Sequence, residues 1–404
     1  MRVVIVGAGI GGLVTALRLH NAGIDATVYE QSEQIRELGV GINLLPHAVA
    51  ELADLGLLDT LTDSAIRTHD LRYTHRLGQE IMRRPCGTDA GFAFPQFSVH
   101  RGRLQGLLHR AVEERVGPVR TGHRLVGYTQ DSDGVRAEFV DRGGSPLAPA
   151  YGDVLVAADG IHSTVRTLMF PDEGPPRWNG VMMWRGATDW PVFDTGRSMV
   201  IAGGTAAKFV VYPIAAGSPR TRLTNWALCV LTGTPGDPPP KRQDWSRRAD
   251  PGTLTEHLDR FRMPIDHHGL VIATTDCFEL PMCDRDPLPT WTTGRVTLLG
   301  DAAHPMYPMG SNGAGQAILD ASALTRALTT ADPESALRTY ERERLAATAE
   351  VVLRNRHGGP EMVIDEVERR APNGFTDLAD VIDPAELDEI VRTYTQVSSR
   401  GHGR

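Results

Sequence analysis

The feature that most constrains the fold of this chain is a glycine turn set directly behind a short apolar run at the N-terminus. Val3-Val-Ile-Val6 has the composition of a buried parallel strand, and Gly7, Gly9 and Gly12 follow at the spacing G-x-G-x-x-G. In such a unit the first glycine makes a tight turn and the second lets backbone approach a pyrophosphate. The third allows helix to pack closely on strand. Ile10 and Gly11 complete the turn, so that backbone N–H groups and the helix dipole face the phosphates. Leu13 to Ala22 continues with helical periodicity and stops at Gly23, a residue suited to a C-cap. Ala26 to Tyr29 then reads as a second strand ending at Glu30, 21 residues after Gly9, where a carboxylate accepts ribose hydroxyls. Gln31 follows and is placed in the same site. A lone glycine turn is weak evidence, but strand, helix, second strand and terminal acid stand here in one register. They predict a dinucleotide site; a glycine-rich turn without a ligand is the competing reading.

The remainder of the chain fits an enzyme of two or three domains. Its 404 residues are long enough to bury a large core, and 41% hydrophobic with 23% charged residues are globular values. A net charge of −8 argues against nucleic acid as a partner, because no basic excess exists to neutralise phosphates. No run of eighteen apolar residues occurs, so no integral membrane segment is expected. The N-terminal apolar stretch is better explained by the βα unit than by a signal peptide. Cys86, Cys229, Cys277 and Cys283 form no C-x-x-C pair, which suggests reduced thiols in a cytoplasm and no metal site.

Two further motifs carry chemistry. Val156-Ala-Ala-Asp159-Gly160-Ile-His162-Ser163-Thr-Val-Arg166 ends a strand in an Asp-Gly turn, and alone it is an ordinary turn. Gly300-Asp301-Ala-Ala-His304 leads through Met306, Tyr307 and Pro308 to Gly310-Ser311-Asn312-Gly313, beyond which a helix runs to about Leu328. Between the motifs lie a glycine loop, Leu38-Gly39-Val-Gly41-Ile-Asn43, and a helix opening at His100-Arg101. Strand-rich segments fill 70–98 and 178–231, a proline-rich excursion occupies 233–251, and a helix spans about 332–356.

Taken together, the three motifs resemble those of the single-component flavoprotein aromatic hydroxylases, the p-hydroxybenzoate hydroxylase fold, over residues 1–356. The segments at Gly39–Leu44, His100–Arg103 and Met306–Gly313 look most like the branch of the 5-methylphenazine-1-carboxylate monooxygenase type. The resemblance implies an α/β fold: a Rossmann-like FAD-binding domain of the glutathione-reductase type with an inserted β-sheet substrate domain and a C-terminal helical segment. The FAD domain is then discontinuous, 1–69, 99–169 and 276–356, with the substrate domain at 70–98 and 170–275. A tail at 357–404, with helical pattern around 385–396, covers the flavin domain or mediates dimerisation, so the chain is a monomer or a homodimer.

By the same resemblance, FAD is the cofactor and NADH or NADPH a transient co-substrate. The reaction is hydroxylation of an aromatic or polycyclic small molecule by O2 through a flavin C4a-hydroperoxide, with or without loss of a carboxylate. Gly7, Gly9 and Gly12 would meet the pyrophosphate and Glu30 the ribose. Arg101 and Gln105 would contact the phosphates, and Asp301, after Gly300, the ribitol region. Asp159 would support FAD binding and the encounter with nicotinamide, and Arg36 and Gly41 lie in a loop that approaches the cofactor in relatives. Backbone N–H groups of the loop Pro308, Gly310, Ser311, Asn312 and Gly313 would face the flavin, with the following helix aimed at it.

Trp184, Arg185, Tyr212, Met306 and Tyr307 are candidates for the substrate pocket, with Arg185 suited to a carboxylate. Strand aromatics such as Trp184 and Tyr212 serve more often as core, and Arg185 fits a surface ion pair equally well. His304 reads as a structural hydrogen bonder, and no catalytic acid or base is assigned. Related flavoproteins with other chemistry, a reductase, halogenase or oxidase, remain open. The halogenase motif Trp-x-Trp-x-Ile-Pro is absent, however, and isoprenoid reductases usually accompany membranes. A non-catalytic nucleotide-binding protein is the third class.

Overall fold

The computed structural model describes residues 1–37 and 39–390. Leu38 of the glycine loop, and residues 391–396 of the expected tail helix, lie outside the described residues. Arg2–Val6 lies between Asp25–Tyr29 and Val154–Ala157 in a five-stranded sheet and is parallel to both. Val154–Ala157 is parallel in turn to Val296–Leu298, with Val6 level with Ala157 and Ala157 with Leu298. The three motifs, nearly three hundred residues apart in sequence, therefore begin at the carboxyl ends of three adjacent parallel strands. In open α/β sheets that edge is where ligands bind.

Val3–Val6 and Val154–Ala157 are apolar and buried throughout because both faces are covered. Helix Ile10–Asn21 packs against Arg101–Arg115 and Gly313–Leu328, and the last packs on Pro333–Arg356. Residues 121–152 form an antiparallel sheet of Arg124–Gln130, Val135–Val140 and Ala150–Gly152. The glycines of the first turn are required by close contacts. A Cβ on Gly12 would stand 2.0 Å from the Gly7 carbonyl oxygen, and one on Gly7, at φ +105°, would stand 2.3 Å from that of Ala158.

The second domain is a seven-stranded sheet running, in spatial order, Cys277–Asp284, Arg177–Pro191, Thr221–Leu231, Ala207–Ala216, Ser198–Ala202, Asp70–Thr74 and Glu80–Pro85. The boundary expected at 275 is therefore displaced, since Cys277–Asp284 pairs along Arg177–Pro191 and the sheet runs to Asp284. Gln96–His100 also leaves the expected substrate segment, pairing with Gly41–Leu44 and Ile66–Thr68 in a small sheet between the domains. One face of the large sheet is sealed by Leu254, Leu258, Phe261, Leu270 and Val271 from the short helices after the proline-rich excursion. The other face is shared. Part of it is covered by Val363, Ile364, Val367, Ile382 and Leu387 of the C-terminal segment, and the rest faces the FAD domain. The C-terminal segment thus packs on the substrate sheet, where sequence alone suggested the flavin domain or a partner chain.

Candidate active site

A cleft opens at the carboxyl edge of the parallel sheet and runs toward the exposed part of the seven-stranded sheet. Its first half is built by the three motifs. Glu30 is aimed by two N–H donors, Ala8 to Oε2 at 2.9 Å and Ser32 to Oε1 at 2.8 Å, so the acid at the strand end is fixed against the glycine turn. Gln105 Nε2 donates to the Ala8 carbonyl at 2.7 Å, which makes it a brace of that turn. Gly9 lines the cleft, and nothing lies within 4 Å of where its Cβ would stand, leaving its backbone open to a ligand.

Arg101 lines the same region and, among the described residues, forms no ion pair; burial lowers its pKa, while Asp301 and Glu30 act in the opposite direction. Asp301 is exposed to the cleft; the surrounding protein raises its carboxyl above the ordinary value by partial desolvation, against the opposing pull of His304 and Arg101. An open glycine backbone, an unpaired guanidinium and a carboxylate acceptor fit the pyrophosphate, phosphate and polyol parts of FAD.

The motifs are held to one another by buried charges that the sequence did not assign. Arg166 donates Nη1 to the carbonyls of Ala302 and Ala303 at 3.0 and 2.7 Å, clamping the second motif onto the third. Its other nitrogens hold Glu173, which Arg285 also engages at 3.0 Å. Asp320, on helix Gly313–Leu328, accepts from the Gly300 N–H, from His304 and from Arg344. Burial alone would raise the Asp320 carboxyl; His304 and Arg344 outweigh it and hold the group below the usual carboxylate range. His304 is thereby a structural hydrogen bonder. Asp159 Oδ2 accepts the Thr164 N–H at 2.7 Å, which fixes the Asp-Gly turn.

The second half of the cleft is largely apolar. Period-two alternation puts Met183 and Arg185 on the cleft face of their strand and turns Trp184 to the opposite face, where it stacks on His257 with ring centroids 5.5 Å apart. Trp184 is therefore not a pocket residue. Arg185, Tyr212, Met306 and Tyr307 do line the cleft. Arg185 is 8% exposed, donates Nη2 to the Gly41 carbonyl at 2.7 Å and lies 5.5 Å from the Trp245 ring centroid. Among the described residues it has no carboxylate partner, so the alternative of a surface ion pair does not hold.

Gly41 also donates its N–H to Asn225 Oδ1 at 2.8 Å, joining the two domains. A Cβ there would meet Ile214 at 2.7 Å and Asn225 at 2.8 Å. Burial pushes the Tyr212 phenol up to about 12 and the Cys229 thiol up to about 11, so both stay neutral, and the residues lining the cleft include no histidine.

Of the flavin loop, Pro308, Ser311 and Gly313 line the cleft, whereas Gly310 and Asn312 do not. Gly310 at φ +66° and Ser311 at φ +57° make a left-handed bend that turns their neighbours inward. Arg36 is exposed and bonds Gln34, and Gln31 is exposed beside it, so the structure does not bring either to the cleft. Residues that sequence reasoning missed are Asn43, Lys208, Cys229, Trp245 and Glu361. Lys208 was reachable by alternation from Tyr212; Trp245 and Glu361 come from irregular segments that carry no such signal.

This geometry fits a flavoprotein: the cleft at the sheet edge has the groups to hold FAD and runs into a largely apolar pocket. Residues 1–355 match the family model described as FAD binding domain, and the chain belongs to that family of FAD-dependent aromatic hydroxylases. It is 39% identical to the phenazine 1,6-dicarboxylic acid hydroxylase PhzS of Lysobacter antibioticus, over 99% of this chain and 98% of that protein. It is 34% identical to 3-hydroxybenzoate 6-hydroxylase 1 of Aquipseudomonas alcaligenes, over 88% of each. Among solved structures, Klebsiella pneumoniae HpxO complexed with FAD and uric acid shares the fold, with a TM-score of 0.74 at 24% identity over 99% of this chain and 93% of that one. The enzyme is an FAD-dependent monooxygenase that draws on NAD(P)H and O2. No helix among the described residues is long and apolar enough to cross a membrane.

Proposed function

We propose that this enzyme hydroxylates a fused aromatic acid of the phenazine carboxylate class, with the substrate carboxylate held by Arg185. The observation that carries this reading is a buried guanidinium without an anionic partner, in a pocket whose wall includes Met183, Met199, Val210, Tyr212 and Met282. A buried cation is costly unless paired, and a bidentate carboxylate satisfies it. The similarity to PhzS of Lysobacter antibioticus supports a phenazine acid over a single-ring one.

When bound and reduced by NAD(P)H, FAD would activate O2, which supplies one oxygen atom to the substrate and the other to water. The chain's own residues bind and orient. The glycine turn, Arg101 and Asp301 hold the cofactor at the sheet edge, and the loop at Pro308–Gly313 borders the reacting centre. The apolar strand residues place the ring and exclude water. Tyr212 and Tyr307, kept protonated by burial, are hydrogen-bond donors rather than bases. A cytoplasmic setting is proposed from four free cysteines, all buried.

Arg185→Met tests the reading. Losing a charge-assisted contact in a buried site costs about 2–4 kcal/mol, so the KM for an aromatic acid is expected to rise roughly 30- to 1,000-fold. Steady-state NAD(P)H oxidation with product analysis measures this, and an unchanged KM refutes the assignment.

A further inference from the structure

The sheet wall of the cleft holds, besides Arg185, a second buried cation. Lys208, 6% exposed, points from strand Ala207–Ala216 into the same pocket wall as Arg185 and is ion-paired to Glu361, 7% exposed. Glu361 does not come from the sheet. It ends a short turn, Gly359–Glu361, at the head of helix Met362–Arg370, and lies beyond the part of the chain that the family model covers. The helix is fastened beside the pair, because Asp365 accepts both the N–H and the hydroxyl of Thr205 at 2.7 and 2.8 Å.

The register places the two cations. Arg185 lies opposite Ala227 and Lys208 opposite Cys229, on strands separated by Thr221–Leu231. Two strand spacings across and two residues along put their Cα atoms about 12 Å apart on one face, which spans a fused tricyclic acid. The two ends of the wall differ in charge. Arg185 is unpaired and carries one uncompensated positive charge. Lys208 is already neutralised by Glu361, so a carboxylate arriving there would bring a third charge into a buried site and lie beside Glu361. Such a charge is disfavoured, whereas a neutral acceptor can take one of the remaining ammonium hydrogens.

We infer that the Lys208–Glu361 pair is a specificity element that limits this enzyme to aromatic acids with a single carboxylate and an uncharged opposite end. The inference rests on the reading of Arg185 as the carboxylate anchor. PhzS of Lysobacter antibioticus, by contrast, is named as a hydroxylase of a dicarboxylic acid.

The experiment uses the FAD-replete full-length enzyme and three probes: phenazine-1-carboxylate, phenazine-1,6-dicarboxylate and the half-amide of that diacid. Dissociation constants come from perturbation of the flavin absorbance, and KM from stimulated NAD(P)H oxidation with product analysis. The diacid is expected to bind at least about tenfold more weakly than the monoacid, with the half-amide within about threefold of it. Glu361→Gln, which frees the ammonium, is expected to shrink the diacid-to-monoacid ratio by at least about tenfold.

Equal affinity of the wild-type enzyme for monoacid and diacid overturns the inference. A half-amide as poor as the diacid does so too, because the discrimination would then be one of shape. A Glu361→Gln protein that moves all three constants together marks the pair as a strut and also overturns it. The wild-type comparisons decide the matter if that variant does not fold. Failure of every acid to bind or to stimulate oxidation removes the Arg185 reading itself, and is thereby distinct from a failure of this inference alone.

Discussion

Asp301 and Arg166 show how single side chains in this protein divide between holding the cofactor and holding one another. Asp301 faces the cleft and has no direct structural task beyond it, so Asp301→Ala is expected to leave the fold intact and weaken FAD. Hydrogen bonds to a charged acceptor are worth about 1.5–3 kcal/mol, which corresponds to roughly a 10- to 150-fold rise in the FAD dissociation constant. The flavin-to-protein absorbance ratio after dialysis reads this directly, and full retention would sink the assignment.

Arg166 acts through the backbone of the third motif, and its three sets of partners are all protein atoms. Glu30, Arg101 and Asp301 could be proposed from sequence because each is tied to a local pattern of strand end or helix start; Arg101 and Asp301 line the cleft, and Glu30 braces the glycine turn beside it. Arg166 received no task from sequence, because its partners lie 136 and 137 residues away. Trp184 was misassigned for a related reason. Period two along a strand says that neighbours face opposite sides, but not which side is the pocket.

At the scale of elements, the loop from Pro308 to Gly313 is the part whose conformation most directly shapes the pocket. Its left-handed residues explain why a glycine stands at 310. A β-branched side chain at φ near +66° costs about 1–2 kcal/mol in backbone strain, so the bend must relax toward the cleft or away from it. Gly310→Val is expected to retain FAD yet release more hydrogen peroxide and less hydroxylated product per NAD(P)H oxidised. Parallel assays of peroxide and product check this, and normal coupling would show that the loop does not control the reacting geometry.

The C-terminal segment is a second such element. Its amphipathic helix Met362–Arg370 buries Val363, Ile364 and Val367 against the sheet, and it brings Glu361 into the pocket wall. Sequence alone shows helical pattern only around 385–396, so the helix at Met362–Arg370 was not legible. Nor was its partner surface, since an apolar stripe looks the same whichever surface covers it.

Across the whole molecule, the Gly-Asp motif is locked to helices Gly313–Leu328 and Pro333–Arg356, which back the parallel sheet. Asp320 is the buried junction of that contact, paired with His304 and Arg344. Breaking a buried pair by removing one partner costs about 3–5 kcal/mol, so Asp320→Asn is expected to lower stability to urea by that amount at neutral pH. The pH dependence has a definite sign. The folded-state pKa of Asp320 is lowered, so its stabilisation is complete above the unfolded value of about 3.9 and is lost as pH falls through the folded value. Acid unfolding of the wild-type protein should therefore be steeper with pH than that of Asp320→Asn, and parallel acid limbs would contradict the network.

What the sequence by itself determined is what local spacing encodes: the βαβ unit, the glycine turn, the acid at the strand end, the loop and helix after Gly313, and with them the flavoprotein class. Only the tertiary structure decided which side of each strand faces the pocket, that Lys208 meets a glutamate from beyond residue 355, and that the C-terminal segment closes the substrate sheet. The physical reason is range. Turn chemistry and periodicity act over a few residues and are written in order. Charge pairing inside a cleft depends on sheet register and on the docking of distant segments, and these are fixed only when the core closes.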